Sequence, residues 1–218
     1  MLMCSSSQAI CCTTCNAQLQ QKIYDSTSFP NLPVMLSAFI VLTIIVALLS
    51  YLSNRKTASP DILNPVPLVT ASMVLGIGIG GFLDGIVLHQ ILQWHEMLSN
   101  KMPPTTVEAK SVNMFWDGIF HFFTLTVVTI GTLLLWKLLH RRDIDRSGNL
   151  FAGGLFLGWG LFNIVEGVID HHLLKLHNVK ETTADPDLWN YGFLIISVVM
   201  IFAGYLLARK RNSTAEAK

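Results

Sequence analysis

Residues 84–95, DGIVLHQILQWH, and 166–177, EGVIDHHLLKLH, write one pattern twice without a gap: acid-Gly-x-x-x-His-x-x-Leu-x-x-His. The likeness extends upstream, where Leu75-Gly76-x-Gly78 matches Leu157-Gly158-x-Gly160. Carboxylates and imidazoles bind metals and carry protons. Both copies sit in segments apolar enough to cross a membrane, where ionisable side chains are costly and are functional candidates by default.

Elsewhere, Asp117 and His121 are four residues apart, on one face of a helix and about 6 Å apart along its axis. That spacing can bring a carboxylate and an imidazole to one cation. Glu166 and Asp170 have the same spacing. On an uninterrupted helix, Asp84 and His95 share a face but lie about 16 Å apart, and Asp84 and His89 differ by about 140°. A single copy then cannot chelate alone, and a site must form between helices. Counting inward from the outer helix ends places His89, His121 and His171 in one layer, about 10–15 Å deep. His95, Asp117 and His177 form a shallower layer, and Asp84 and Glu166 a deeper one. The metal-ligand candidates are therefore His89, His121, His171, Asp117, Asp170, His95 and His177, with Asp84 and Glu166 as candidate catalytic bases. Imidazoles with carboxylates suit copper, iron or zinc better than calcium or magnesium, which prefer oxygen donors. Carboxylates off the metal can orient imidazole N–H groups. His172 points to another face and reads as structural, and His140, among arginines, as interfacial.

The chain that must hold these groups has 218 residues, 51% hydrophobic and 13% charged. A soluble domain carries about 25% charged residues, so the composition is that of an integral membrane protein. A net charge of +1 argues against nucleic acid as a partner. Five segments, roughly 34–53, 67–98, 113–139, 150–177 and 189–208, are long enough to span a bilayer. The class is an all-α integral membrane bundle of five transmembrane helices. Two tandem helical hairpins, 66–139 and 150–208, follow an N-terminal helix at 33–53. Trp116-Asp117 resembles Trp189-Asn190, so the fifth segment echoes the third and a pseudo-twofold along the membrane normal relates the hairpins. Small-xxx-small pairs such as Gly76/Gly80 and Gly154/Gly158 let helices approach closely. Trp94, Trp116 and Trp189, near outer helix ends, read as interfacial anchors.

Arg55, Lys56, Lys137, Arg141, Arg142, Arg146, Arg209, Lys210, Arg211 and Lys218 alternate with Lys22, Lys101, Lys110, Lys175 and Lys180 on the other side. This sets the N-terminus and the His/carboxylate layer outside and the basic tail 209–218 in the cytoplasm of a bacterial plasma membrane. Residues 1–32 read as a polar, disordered tail. Its Cys4, Cys11, Cys12 and Cys15 could hold a soft metal or form disulfides.

The strings GFLDGIVLHQILQWHEMLS, FWDGIFHFFT and GWGLFNIVEGVIDHHLLKLHNV closely resemble a family of bacterial predicted membrane proteins of unknown function, over roughly residues 67–208. The resemblance implies an integral membrane protein and supplies no activity. It also implies a second histidine after His95, where this chain has Glu96. Asp117-x-x-x-His121 is similar to the copper ligands in the C subunit of particulate methane monooxygenase. Three histidines with a carboxylate resemble the zinc site of hydrolases of the alkaline ceramidase kind.

Four functions fit these residues. The first is a transition-metal protein (Cu, Fe or Zn) with its site between the second, third and fourth segments, handling copper or iron in a redox role. The bilayer would surround it, and a metallochaperone or respiratory complex would be its partner. The second is a zinc-dependent membrane hydrolase with Asp84 or Glu166 as general base. A b-type haem protein and an ion or proton carrier complete the set. The residues alone do not decide whether it is an enzyme.

Overall fold

The computed structural model describes residues 16–27, 31–55 and 63–209. The four cysteines, Lys56, Lys210, Arg211 and Lys218 lie outside the described residues. Six α-helices follow in order: α1 (Ala17–Ser26), α2 (Asn31–Arg55), α3 (Val66–Asp84), α4 (Val107–Leu138), α5 (Gly148–Glu166) and α6 (Pro186–Arg209). Helices α2 to α6 contain five spans long and apolar enough to cross a membrane. Among the described residues there is no strand, only an isolated bridge between Asn64 and Ile144. The protein is an all-α membrane helical bundle.

Local chemistry sets the helix starts. Thr106 caps α4, its hydroxyl accepting from the Ala109 N–H at 3.2 Å, and Glu108 in the first turn complements the helix dipole. The helix therefore begins six residues earlier than hydropathy suggests. Ser147 caps α5 in the same way, accepting from Leu150 N–H at 3.2 Å.

At the centre, α3 packs against α5, with α4 on the outer side of α3 and α6 on the outer side of α5. Glycine makes this central crossing possible. A Cβ on Gly76 would strike the Leu155 carbonyl, and one on Gly158 the Met73 carbonyl, so the contact is reciprocal between equivalent residues of the two copies. Gly158→Leu is expected to destabilise the bundle by at least about 1–3 kcal/mol, because backbone is what must move. Gly118→Ala in α4, where nothing lies within 4 Å, should leave stability unchanged or raise it slightly. Thermal unfolding in detergent measures both; equal effects would contradict this crossing.

Within the polar N-terminal segment, Asn16 caps α1 through its side chain, at 3.0 and 3.3 Å from the Gln18 and Leu19 N–H groups. Leu19 and Ser26 are buried. The Trp116 indole N–H donates to Ser26 Oγ at 2.9 Å, so Trp116 is a buried link between α4 and α1 rather than a membrane anchor.

A further difference shapes the site. Neither α3 nor α5 continues as an α-helix through its His-x-x-Leu-x-x-His string. After Asp84 and Glu166 the backbone widens into π-helical turns, Gly85–Ile91 and Gly167–Leu173. The chain then reverses at Gln93 (φ 49°) and Lys175 (φ 50°). Leu92 and Leu174 N–H bond five residues back, to Val87 and Ile169, and Trp94 and Leu176 six back, to Leu88 and Asp170. Left-handed backbone at a non-glycine residue costs about 1–2 kcal/mol. Its occurrence at equivalent positions in both copies marks a local conformation that the surrounding packing enforces.

Candidate metal centre

A π-helical turn stacks residue i over residue i+5. It brings His89 over Asp84, with His89 Nε2 3.2 Å from Asp84 Oδ2, where an α-helix would put them on different faces. The reversal at Gln93 folds His95 back, so its Nε2 is 4.0 Å from Asp84 Oδ2 rather than the ~16 Å of a continuous helix. The second copy does the same, and His177 Nε2 lies 3.9 Å from Glu166 Oε1. The two reversed segments meet with the His95 and His177 rings stacked, 4.6 Å between centroids and 2° between planes.

Each of these rings is held from behind. His95 Nδ1 lies 2.8 Å from the Val179 carbonyl and His177 Nδ1 3.0 Å from the Met97 carbonyl, again a reciprocal pair. A carbonyl only accepts, so each Nδ1 carries the proton and each Nε2 turns its lone pair toward the centre. The supporting backbone is itself fixed, because the Met97 N–H donates to Asp117 Oδ1 at 3.0 Å and the Val179 N–H to Asn190 Oδ1 at 2.9 Å. Asp117 Oδ1 also receives His89 Nδ1, at 2.9 Å. Asp117 of α4 and Asn190 of α6 thus perform equivalent tasks. Asp117 sets the orientation of one ring and one loop.

The consequence is four donor atoms facing one point. One ligand atom each from His89, His95, His177 and Glu166 lies within 4.8 Å of all the others. His95 Nε2 and His177 Nε2 are buried without a hydrogen-bond partner, as is Glu166 Oε2, while His89 Nε2 faces Asp84 Oδ2. Orphaned buried polar atoms are costly and call for a partner. In tetrahedral coordination with bonds of about 2.0–2.2 Å, ligand atoms sit about 3.4 Å apart, so small inward shifts would close the group on an ion. His95 and His177 lie beyond the membrane-spanning segments. Burial, with His89 beside them, pushes both imidazoles down from their ordinary value, His177 to about 4. Both are neutral at neutral pH, the form that binds a metal.

Of the remaining candidates, His171 borders the cluster, its ring 4.9 Å from that of His177, and neither of its nitrogens has a partner. Asp170 is buried with an orphaned Oδ1. His121 stands apart, packed edge-on to Phe82 at 5.8 Å and against the Gly85 backbone. The layer of His89, His121 and His171 is therefore not what the fold assembles, because the chain reversals lift His95 and His177 into it instead. His172 bonds the Gly167 carbonyl at 2.6 Å and faces Tyr191, and His140 is exposed at the opposite end. Above the centre, a polar cleft of about 440 Å³ is lined by His95, Glu96, Ser99, Asn100 and Lys110, among others. Glu96, buried, pairs with Lys110 at its wall. Beside it, the Lys180 ammonium lies over Trp94 and Trp189, at 4.8 and 4.6 Å.

A family model described as a predicted membrane protein, DUF2243, matches residues 71–211. The chain belongs to the DUF2243 family. Every residue of the cluster, both π-helical turns and both supporting side chains, Asp117 and Asn190, fall inside the matched region of this DUF2243 member. Helices α1 and α2 precede it. No curated protein and no solved structure matches the chain.

Proposed function

We propose that this chain is an integral membrane metalloprotein in which His89, His95, His177 and Glu166 hold one first-row transition ion where the two repeats meet. The observation that carries the reading is the convergence of these four buried residues' ligand atoms within 4.8 Å, with all three rings bonded at Nδ1. Metal-binding histidines are oriented in this way by carbonyls and carboxylates. Three nitrogens and one oxygen suit iron, copper or zinc, and the set contains no thiolate or thioether to select Cu(I). Each copy of the motif supplies two of the four ligands, so neither half is a site by itself. Ring centroids at 4.3 Å (His89–His95) and 4.6 Å (His95–His177) leave no slot for a porphyrin, which removes support from the haem reading.

The alternation of basic residues supports a centre at the outer face, with Arg141, Arg142 and Arg146 at the cytoplasmic end, of a bacterial plasma membrane. An ion at this depth and on this side serves copper or iron handling, with a redox role. A second reading, a zinc-dependent hydrolase, is favoured by Asp84. Its Oδ2 lies beside two of the three Nε2 atoms yet outside the ligand group, where a general base would stand.

Protein purified without chelators is expected to contain the ion stoichiometrically by elemental analysis. Iron or copper with redox-dependent absorption supports the first reading, and zinc with hydrolytic turnover the second. Metal-free protein contradicts both.

A further inference from the structure

The four residues of the proposed centre are each no more than 3% exposed, so an ion needs a passage to reach them. The polar cleft of about 440 Å³ supplies one. Its wall includes His95 itself, with Gln93, Glu96, Asn100, Lys110 and Thr182. Apart from Lys110, in the first turn of α4, these residues lie outside the membrane-spanning segments, so the cleft opens to water rather than lipid. Glu96 is 4% exposed, and its two oxygens differ. Oε1 pairs with the Lys110 ammonium, whereas Oε2 is buried without a partner. The backbone beneath this side chain is fixed, since the Glu96 N–H donates to Ser99 Oγ at 2.6 Å. The second copy shows the alternative. Asn178 stands at the equivalent position, and its carboxamide is engaged at both ends. Its Oδ1 accepts from Asn190 Nδ2 at 2.9 Å, and its Nδ2 donates to Glu181 Oε2 at 3.0 Å. One copy closes this position with hydrogen bonds, and the other leaves a carboxylate oxygen free.

A buried carboxylate oxygen without a donor is costly, and a cation compensates it most fully. Lys110 compensates the other oxygen, but its side chain is 41% exposed and long enough to swing into water. Glu96 is also the chain neighbour of His95, which belongs both to the cleft wall and to the ligand group. We propose that the cleft is the loading port of the centre, with Glu96 as a transit ligand for a hydrated divalent first-row ion. The ion exchanges a water for Glu96 Oε2 while Lys110 moves aside. It then exchanges further waters for His95 Nε2 and the remaining donors. Glu96 is released as the ion settles, and Lys110 pairs with it again. Glu181 adds a second negative charge to the wall, although Asn178 already engages both of its oxygens. This role rests on the metal reading above, because a port needs a centre to load.

Rates test the port, because a transit ligand changes how fast an ion arrives and not how tightly it is finally held. Full-length protein in detergent, stripped with a chelator, is mixed with cobalt(II), and the visible absorption is followed to completion. Glu96→Gln is expected to slow loading about tenfold, the low end of the gain that an opposite charge at a cleft provides. Extraction by a chelator should slow alike, leaving the equilibrium affinity at the wild-type value. Lys110→Gln removes the competing ammonium and should speed loading. Both variants break the same ion pair, so a merely structural role would move both rates in one direction. Thr182→Trp, at an exposed position in the cleft wall, should slow loading and extraction together without changing affinity. Loading rates indifferent to all three changes, or slowed in Lys110→Gln as in Glu96→Gln, overturn the port. Lost equilibrium affinity in Glu96→Gln also overturns it, by making Glu96 a resident ligand. Wild-type protein that is purified metal-free and takes up no cobalt overturns the reading of the centre itself, and the port with it.

Discussion

His177→Ala is expected to lower metal affinity by more than about 100-fold, enough to strip the ion during purification. Removing a supporting group around a metal typically costs 10–100-fold, and loss of a ligand exceeds that. The change removes one of four convergent donors and leaves the Met97 carbonyl without its imidazole partner. His95→Ala, the equivalent change in the first copy, should behave alike. The informative contrast is His121→Ala. Its ring packs against Phe82 and Gly85 rather than in the cluster, so the ion should remain. His172→Ala should also retain it, since that ring bonds Gly167 O. Elemental analysis of the four variants decides the matter. Retained metal in His177→Ala with lost metal in His121→Ala would restore the layer that helix counting suggested.

Asp117→Ala is expected to weaken binding by about 10–100-fold without removing a ligand. One carboxylate oxygen holds both His89 Nδ1 and the Met97 N–H, and the Met97 carbonyl in turn orients His177. Alanine leaves two buried donors unpaired, which also costs stability, by about 1–3 kcal/mol for each. Asp117→Asn separates the two effects. An amide oxygen still accepts, and the second copy already uses Asn190 to hold the Val179 N–H at 2.9 Å. Asparagine should therefore recover most of the stability and part of the affinity. Competition with a chromophoric chelator, together with thermal unfolding, measures the two separately. Equal losses in both variants would show that Asp117 acts through charge alone.

Much of this architecture was legible from the residues. Five long apolar segments separated by Pro, Asp-Pro and arginine-rich breaks could only be membrane helices. The gapless repeat also put Asp84, His89 and His95 in correspondence with Glu166, His171 and His177. What escaped was the backbone between motif and reversal. Gln93 and Lys175 are not residues that signal left-handed turns, and the apolar pattern runs straight past them, so a continuous helix was the natural reading. The repeat held a clue, since both copies carry glycine directly after the acid, where the helix widens. Nor could spacing find the Met97 and Val179 carbonyls, because main-chain acceptors leave no mark on residue type. Asn190 was visible only as the partner of Asp117 in the Trp-Asp/Trp-Asn likeness. Helix α1 escaped for another reason: its burial depends on Trp116, which lies far along the chain.

The most direct test of the centre is X-ray absorption fine structure at the metal edge of the purified wild-type protein. The account predicts a nitrogen and oxygen shell at about 2.0–2.2 Å, with imidazole multiple scattering corresponding to three histidines. A shell containing sulfur, or one of oxygen alone without imidazole scattering, would contradict it.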